Sequence, residues 1–137
     1  MEECVFCKIF SGELQTRKIY EDENVIGAID PQPRFGEGQC IIIHRRHVEQ
    51  FYDLDDEGIA HLFKAVKTVA KKIKKVFDPP FVCLWARGQS VPHAHIIVFP
   101  SQEGVFEKCI EATIMAVRLQ TPTNSKLDEI AEKIRNA

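Results

Sequence analysis

The chain has 137 residues, which is enough for one domain with a buried core. Hydrophobic residues make up 45% of it and charged residues 28%, a balance typical of a soluble globular protein. The net charge of −2 gives no reason to expect nucleic acid or a membrane as partner, and no apolar run approaches the roughly 18 residues of a spanning helix. The N-terminal segment also lacks the pattern of a signal peptide, so we expect a cytoplasmic protein.

Short strands dominate the first part of the chain, after a predicted helix at residues 4–11. Two strands are predicted at 19–20 and 25–29, with a polar turn between them. A loop punctuated by proline and glycine occupies 30–38, and the short apolar run at 40–43 predicts a third strand in a buried position.

A long amphipathic helix is predicted next. Asp53 or Asp55 can cap its N-terminus, and the run Asp78-Pro79-Pro80 stops it. Apolar residues recur every three or four positions, and the lysines opposite them favour a solvated face over a phosphate-binding patch. The predicted inward positions are Ile59, Leu62, Phe63, Val66, Val69, Ala70, Ile73 and Val76.

The second half of the chain begins with two predicted strands, at 81–85 and 93–99. Residues 105–118 fit a helix, although a strand is possible near their end, and 126–135 read as a final amphipathic helix. Strands in hairpin-like succession beside a few helices predict an α+β fold with an antiparallel sheet. The inward positions of the final helix are Leu127, Ile130 and Ile134.

Two cysteines, Cys4 and Cys7, form a CxxC near the N-terminus. This spacing alone has three interpretations: a zinc half-site, a redox pair or coincidence. A redox pair would want a thioredoxin-like βαβ setting, which the pattern does not indicate. The chain's five cysteines, an odd number, favour metal binding or core thiols over a disulfide framework. A zinc site needs two more ligands, and the candidates are His44, His47, His61, His93 and His95.

Two histidines two positions apart end the stretch 88–95, which reads Gly-Gln-Ser-Val-Pro-His-Ala-His. On a strand their side chains would point the same way, which suits one bound imidazole and one reactive imidazole. A histidine that attacks phosphorus uses one ring nitrogen, while the other nitrogen must keep its proton and be oriented. Gln89 and Ser90 offer groups for phosphate oxygens or a leaving group, and this context disfavours a merely structural role for His95.

On these residues the sequence resembles the histidine-triad (HIT) proteins, named for His-φ-His-φ-His-φ-φ. Residues 4–13 resemble the family's N-terminal zinc-hook helix, and 19–31 resemble its first strands and nucleotide loop. The segment 41–47 resembles the strand that ends in a histidine, and 88–95 carries the motif itself. The resemblance extends over residues 4–100 and fades after them.

The resemblance implies an α+β, HIT-like fold: a mostly antiparallel five-stranded sheet with a long helix, the zinc-hook helix and a C-terminal helix. It implies one domain over residues 1–137, with a helical extension at 105–137. It also implies one structural Zn²⁺ per chain and a homodimer, which family members commonly build around the long helix and a strand edge. The implied zinc ligands are Cys4, Cys7, His47 and His93.

The resemblance also assigns roles in chemistry. His95 matches the family's nucleophile, which attacks the α-phosphorus of a nucleotide to give a nucleotidyl-imidazole. Ser90 and Gln89 match residues around the phosphate and the leaving group, and Asp30 matches an acidic residue that holds the ribose hydroxyls. Arg87 is expected to contact the nucleotide as a positive charge. The implied base pocket lies near Phe6, Ile9, Ile26 and Ala28.

Three positions depart from the family pattern. Ile97 stands at the third histidine, where related uridylyltransferases have glutamine, and it offers no side-chain hydrogen bond. The run Trp85-Ala86-Arg87 forms a shortened connection without the usual phosphate-contacting asparagine. Ser101 replaces a basic or aromatic residue after the last strand. With Ile97 in place, we expect the backbone carbonyl of residue 97 to orient His95.

Three functions remain open from the sequence. The first is a zinc-containing nucleotide hydrolase or nucleotidyltransferase whose substrate is a purine nucleotide or a nucleotide conjugate. The second is a non-catalytic nucleotide-binding or interaction protein that keeps the fold and the metal, and the third is a structural zinc protein acting through a dimer surface. Ser90 and His95 favour the first, because simple binding does not need a nucleophile.

Overall fold

The fold is given by a computed structural model, which describes residues 4–101 and 122–137. Contacts divide the chain into two compact units, residues 1–103 and 104–137. The first unit contains α1 (Val5–Ser11), β1 (Lys18–Glu21), β2 (Val25–Ile29), β3 (Cys40–His44), a 3₁₀ turn (Phe51–Asp53), α2 (Asp56–Phe77), β4 (Val82–Trp85) and β5 (His95–Pro100).

The five strands form one sheet in the order β1-β2-β3-β5-β4, and every neighbouring pair is antiparallel. The predicted α+β fold with a five-stranded antiparallel sheet is therefore confirmed. The last predicted strand starts later than expected, because it begins at His95 and His93 lies in the bend before it. The two histidines therefore do not share one regular strand.

One face of the sheet is covered by α2. Asp55 caps this helix by accepting a hydrogen bond from the Gly58 N–H, and Asp78 ends it in the left-handed conformation at φ 44°. The helix comes close to the sheet at Gly27, where a Cβ would lie 3.4 Å from Val69 Cγ2 and only 3.1 Å from Ile42 Cδ1. The core on this face contains Val25, Ile42, Leu62, Ala65, Val66, Val69, Ile73, Ile96 and Val98.

Two of the inward positions predicted for α2 are wrong. Phe63 is 42% exposed and Val76 is 72% exposed. Phe63 is turned about 100° from the buried Leu62 around the helix axis, which carries it off the buried stripe. Val76 lies in the last turn of the helix, where its side chain is on the apolar stripe but stays exposed. The lysines of the opposite face are exposed as predicted.

The other face of the sheet is covered in part by α1. Phe6 and Ile9 of this short helix pack with Ile26, Ala28 and Ile43, which alternate along β2 and β3 with the residues that face α2. Gly12 ends the helix in the left-handed conformation at φ 83°, and its N–H donates to the carbonyl of Ile9.

The described part of the second unit is α3 (Asn124–Arg135), and Thr123 caps it by accepting from the Lys126 N–H. The predicted inward face of this helix is wrong, because Leu127, Ile130 and Ile134 are 48%, 39% and 72% exposed. Helical periodicity gives an apolar stripe but does not supply a partner to cover it. The helix predicted at 105–118 falls outside the described residues. Among the residues described, no helix has the length and apolarity needed to cross a membrane.

Candidate functional site

Four side chains from separate segments meet where α1 approaches the bend before β5. Cys4 precedes α1 and Cys7 lies within it, while His47 follows β3 and His93 precedes β5. Their ligand atoms all lie within 4.8 Å of one another. The sequence alone left five histidines as candidates, and the fold brings together the pair that the family resemblance implied.

Three of the distances within this cluster are close to the edges of a coordination tetrahedron. Cys4 Sγ lies 3.3 Å from His93 Nδ1, Cys7 Sγ lies 3.3 Å from His47 Nδ1, and the two Nδ1 atoms are 3.1 Å apart. Zinc bond lengths of about 2.05 Å to nitrogen and about 2.3 Å to sulfur give edges of about 3.3 Å for N···N and about 3.6 Å for N···S. The cluster therefore has the size and donor set for one Zn²⁺.

A hydrogen bond fixes the tautomer of His93. Its Nε2–H donates to the backbone carbonyl of His44 at 2.7 Å, because a carbonyl oxygen can only accept. Nδ1 is then unprotonated and directs its lone pair at the cysteine sulfurs, as a metal ligand must. The His93 side chain is fully buried, and burial lowers its pKa because desolvation disfavours the imidazolium.

The surroundings of Cys7 raise the pKa of its thiol. Burial raises its pKa, and a hydrogen bond with the side chain of Cys4 raises it further. Metal binding requires thiolates, so a bound cation would reverse this shift. The buried, neutral imidazole of His93 needs no such deprotonation.

His95 lies next to this cluster and has the opposite arrangement of its ring nitrogens. Its Nδ1–H donates to the backbone carbonyl of His93 at 2.6 Å, which leaves the Nε2 lone pair free. The ring of Phe6 meets the ring of His95 edge-on, with the centroids 5.0 Å apart. His95 therefore has one oriented nitrogen and one nitrogen free to react, which is the division of roles a nucleophilic histidine needs.

The carbonyl that orients His95 belongs to residue 93, so the expectation that residue 97 would supply it is wrong. Position 93 lies in the bend, where its carbonyl can turn back toward the ring two residues later. One residue thus serves both sites, since the His93 side chain joins the Cys/His cluster and its carbonyl holds His95. The Ile97 side chain has no part in this orientation.

A cavity of about 430 Å³ opens beside His95, on the sheet face that α1 leaves uncovered. The five residues predicted to contact the ribose, the phosphate or the leaving group, which are Asp30, Arg87, Gln89, Ser90 and His95, all border this cavity. Its lining also includes three apolar strand residues and a pair of arginines. The lining residues are Phe6, Asp30, Gln32, Arg34, Phe35, Gln39, Ile41, Trp85, Arg87, Gly88, Gln89, Ser90, Val91, His95 and Ile97.

Asp30 is held by a residue that the sequence did not single out. Gln39 is only 1% exposed, its Nε2 donates to Asp30 Oδ2, and its Oε1 accepts from the Phe35 N–H at 2.8 Å. The Gln32 N–H donates to the other carboxylate oxygen at 2.8 Å. Gln39 therefore fixes the carboxylate of Asp30 and the loop that carries Phe35. The sequence signal that could have identified Gln39 is its position directly before an apolar strand.

The loop before His93 is shaped by a sharp turn at Gly88. This residue has φ +62°, and a Cβ there would clash with the side-chain amide of Gln50. Gln50 Nε2 donates to the Gly88 carbonyl at 3.3 Å, so the 3₁₀ turn supports the loop. Arg87 Nε donates to Gln89 Oε1 at 2.6 Å, while the exposed Ser90 lines the cavity. These contacts place the amide, hydroxyl and guanidinium groups on one rim.

The implied base pocket matches the cavity only in part. Phe6 lines it, whereas Ile9, Ile26 and Ala28 are buried in the apolar cluster beneath α1. They support the wall of the cavity through packing, and of the four implied residues only Phe6 borders the cavity itself.

Comparisons with known proteins agree with this geometry. The family model for the HIT domain matches residues 11–104 of the chain. An uncharacterized HIT-like protein of Methanocaldococcus jannaschii is 31% identical over 136 residues, covering 96% of this chain and 98% of that protein.

Two solved structures extend the comparison to three dimensions. The structure of SMU.412c from Streptococcus mutans superposes with a TM-score of 0.80 at 26% identity, covering 99% of this chain and 85% of that one. A zinc-bound histidine triad family protein from Mycobacterium smegmatis superposes with a TM-score of 0.67 at 28% identity, covering 77% of this chain and 79% of that one. The chain belongs to the HIT family, with a Cys4–Cys7–His47–His93 cluster compatible with its zinc-bearing branch and Ile97 in place of the third histidine.

Proposed function

We propose that this protein is a nucleotide hydrolase or nucleotidyltransferase that acts at the α-phosphate through a nucleotidyl-His95 intermediate. The observation that carries the proposal is the hydrogen bond from His95 Nδ1–H to the His93 carbonyl, which leaves Nε2 free at the edge of the cavity. The substrate is a purine nucleotide or a nucleotide conjugate. The proposed nucleotide contacts are Asp30, Arg87, Gln89, Ser90 and His95.

In the first step, Nε2 of His95 attacks the α-phosphorus, and the bond from phosphorus to the leaving group breaks. The leaving group departs with the bonding electron pair and takes up a proton. His95 carries a positive charge while it is nucleotidylated, and the carbonyl of His93 stabilises that charge through Nδ1–H. Gln89 and Ser90 bind the phosphate oxygens from the rim, and Arg87 supplies a positive charge there.

In the second step, water or another acceptor attacks the phosphorus and gives up a proton to solvent, and the P–N bond breaks with its electron pair returning to Nε2 of neutral His95. Asp30 holds the ribose hydroxyls throughout, with its carboxylate oriented by Gln39. The Ile97 side chain offers no hydrogen bond in either step. Loss of one transition-state hydrogen bond costs about 10²–10³ in rate, so a low turnover number is expected.

Zinc is proposed as a structural group, one ion per chain, held by Cys4, Cys7, His47 and His93. When bound, it would supply a cross-link that ties α1 to the bend before β5. The residues themselves keep His93 neutral and direct its Nδ1 at the sulfurs. The zinc named for the Mycobacterium smegmatis relative supports this assignment.

We also propose a domain organisation, an oligomeric state and a cellular location. The chain acts as a single HIT-like domain over residues 1–137, as a homodimer in the cytoplasm, without nucleic acid or membrane as partner. Gel filtration with light scattering tests the dimer directly, since a monomer at micromolar concentration would contradict it.

Turnover of an adenosine 5′-phosphoramidate and of a dinucleoside polyphosphate tests the activity. We expect His95→Asn to abolish turnover and the matched control His61→Asn to retain it, because His61 lies on α2 outside the cavity lining. Equal rates for the wild type and His95→Asn would refute the proposal. Background rates in both, with nucleotide bound, would instead establish the second function, a non-catalytic nucleotide-binding protein.

Metal analysis tests the zinc assignment separately. We expect one equivalent of zinc in the wild type and none in Cys4→Ser/Cys7→Ser. The control Cys83→Ser should keep its zinc, since Cys83 lies on β4, away from the cluster. A metal-free wild type, or a zinc-loaded double variant, would contradict the assignment.

A further inference from the structure

The loop between β4 and β5, residues 86–94, is held at its β5 end by the residues that follow β3. His47 Nδ1 lies 3.1 Å from His93 Nδ1 within the Cys/His cluster. The Val48 carbonyl accepts a hydrogen bond from the Ala94 N–H at 2.7 Å. A side-chain pair and a backbone hydrogen bond therefore fix this end of the loop, and both come from one short segment of the chain.

Gln50, two positions further along the same segment, contacts the other end of the loop. Its Nε2 donates to the Gly88 carbonyl at 3.3 Å. The three atoms nearest to the place where Gly88 lacks a Cβ all belong to the Gln50 amide, so this amide packs directly against the left-handed turn at Gly88. The Gln50 N–H donates to Asp53 Oδ2 at 3.1 Å, which anchors Gln50 to the 3₁₀ turn. The amide is thus a fixed support for the β4 end of the loop.

Gln89 and Ser90 follow this turn directly and border the cavity. Both residues are exposed, so packing against a core does not set their orientation. Gln89 Oε1 accepts from Arg87 Nε at 2.6 Å, but Arg87 belongs to the same loop and would move with it. The orientation of Gln89 and Ser90 therefore depends on the backbone turn at Gly88, and through that turn on Gln50.

We propose that Gln50 is a positioning residue, which holds the Gly88 turn so that the side chains of Gln89 and Ser90 face the phosphate of the nucleotide. This inference rests on the proposed function, in which these two side chains contact the phosphate. Gln50 itself does not border the cavity, so its effect on a ligand passes through the loop. Without its hydrogen bond the loop populates further conformations, and the apparent Kd rises in inverse proportion to the fraction of molecules whose loop is competent to bind.

Calorimetry with AMP and with adenosine tests the role of Gln50 in phosphate binding. We expect Gln50→Ala to raise the Kd of AMP about 2- to 10-fold, the size of one hydrogen bond between neutral groups. The Kd of adenosine should stay unchanged, because adenosine carries no phosphate for Gln89 and Ser90 to bind. Glu49→Ala is the matched control, since Glu49 is the exposed neighbour of Gln50 and lies outside the cavity lining. An unchanged Kd of AMP in Gln50→Ala, or an equal rise for both ligands, would overturn the inference.

A second genetic background tests whether Gln50 acts through these two side chains. In Gln89→Ala/Ser90→Ala, the further change Gln50→Ala should leave the Kd of AMP unchanged, because the groups that Gln50 positions are then absent. The same 2- to 10-fold rise in both backgrounds would contradict the inference, since Gln50 would then affect AMP by another route.

Hydrogen exchange followed by mass spectrometry gives a readout that needs no ligand. Peptides covering residues 86–94 should exchange faster in Gln50→Ala than in the wild type and in Glu49→Ala, because the turn loses its support. Peptides from β3 should exchange alike in all three proteins, which separates a local change from a loss of global stability. Equal exchange of the loop in all three would overturn the inference, whether or not the protein binds a nucleotide.

These outcomes separate the role of Gln50 from the proposed function. Nucleotidylation of His95 together with an unchanged Kd of AMP in Gln50→Ala would overturn the role of Gln50 alone. A selective loss of AMP affinity in Gln50→Ala, without nucleotidylation of His95, would overturn the proposed activity and leave the role of Gln50 in place. Absence of AMP binding by the wild type would overturn both.

Discussion

Gln39→Leu tests whether a buried amide shapes the nucleotide side of the cavity. The substitution removes two hydrogen bonds, one to a carboxylate oxygen of Asp30 and one from the Phe35 N–H. A hydrogen bond to a charged group contributes about 1.5–3 kcal/mol, and one between neutral groups about 0.5–1.5 kcal/mol. Burial of the leucine side chain offsets roughly 1 kcal/mol of their sum. We therefore expect a loss of about 1–3.5 kcal/mol in the free energy of unfolding.

Urea unfolding followed by circular dichroism measures this loss. The matched control is Gln32→Leu, because Gln32 is exposed and holds Asp30 only through its backbone N–H. The control should change stability by less than about 0.5 kcal/mol. A double-mutant cycle with Asp30→Asn should give a coupling above about 0.5 kcal/mol. A Gln39→Leu protein as stable as the control, or no coupling to Asp30, would refute the role assigned to this amide.

The remaining predictions concern acid stability, thiol reactivity and backbone strain. Burial lowers the pKa of His93 below its unfolded value of about 6.5, so below that pH the unfolded chain binds a proton that the folded chain does not bind. In protein stripped of metal by a chelator, the free energy of unfolding should therefore be constant above about pH 6.5 and should fall as the pH drops below it. His93→Gln should flatten this slope in part, leaving the share of His44, whose pKa burial also lowers; an unchanged slope would contradict the argument. Burial raises the pKa of Cys40 to about 11, so iodoacetamide mapped by mass spectrometry should spare Cys40 with or without a chelator. Cys4 and Cys7 should become reactive when a chelator is added, and labelling of Cys40 as fast as Cys7 would count against its burial. Gly88→Ala should raise KM for the nucleotide more than Ala86→Gly, because a Cβ at φ +62° meets the Gln50 amide; equal KM values would show that the loop tolerates the change.

Local patterns predicted most of the fold. The 3.6-residue period located α2, and the short apolar runs located the central strands, because burial on one face imposes these periods directly. The same periods failed at Phe63, Val76 and the apolar stripe of α3, where exposure depends on whether another element covers the stripe. Periodicity identifies the apolar face of an element but not the element that packs against that face.

The candidate site was predictable in its residue types but not in its connections. The CxxC and the His-Ala-His motif marked the two centres, yet spacing could not choose His47 over His44 or His61 as a partner for Cys7. The choice depends on the bend after β3, which carries the His47 ring toward α1. The sequence also could not predict that the His93 carbonyl orients His95 or that Gln39 supports Asp30. Both depend on backbone turns outside regular strands, where side-chain direction does not follow a period.

The most direct test of the account is to trap the intermediate on His95. The protein is mixed with an adenosine 5′-phosphoramidate, quenched at high pH, where a phosphorus–nitrogen bond to histidine survives, and digested for mass spectrometry. The account predicts one nucleotidyl group on the peptide that contains His95, present in His61→Asn and absent from His95→Asn. Turnover by His95→Asn at the wild-type rate, or a nucleotidyl group on any other residue, would contradict it.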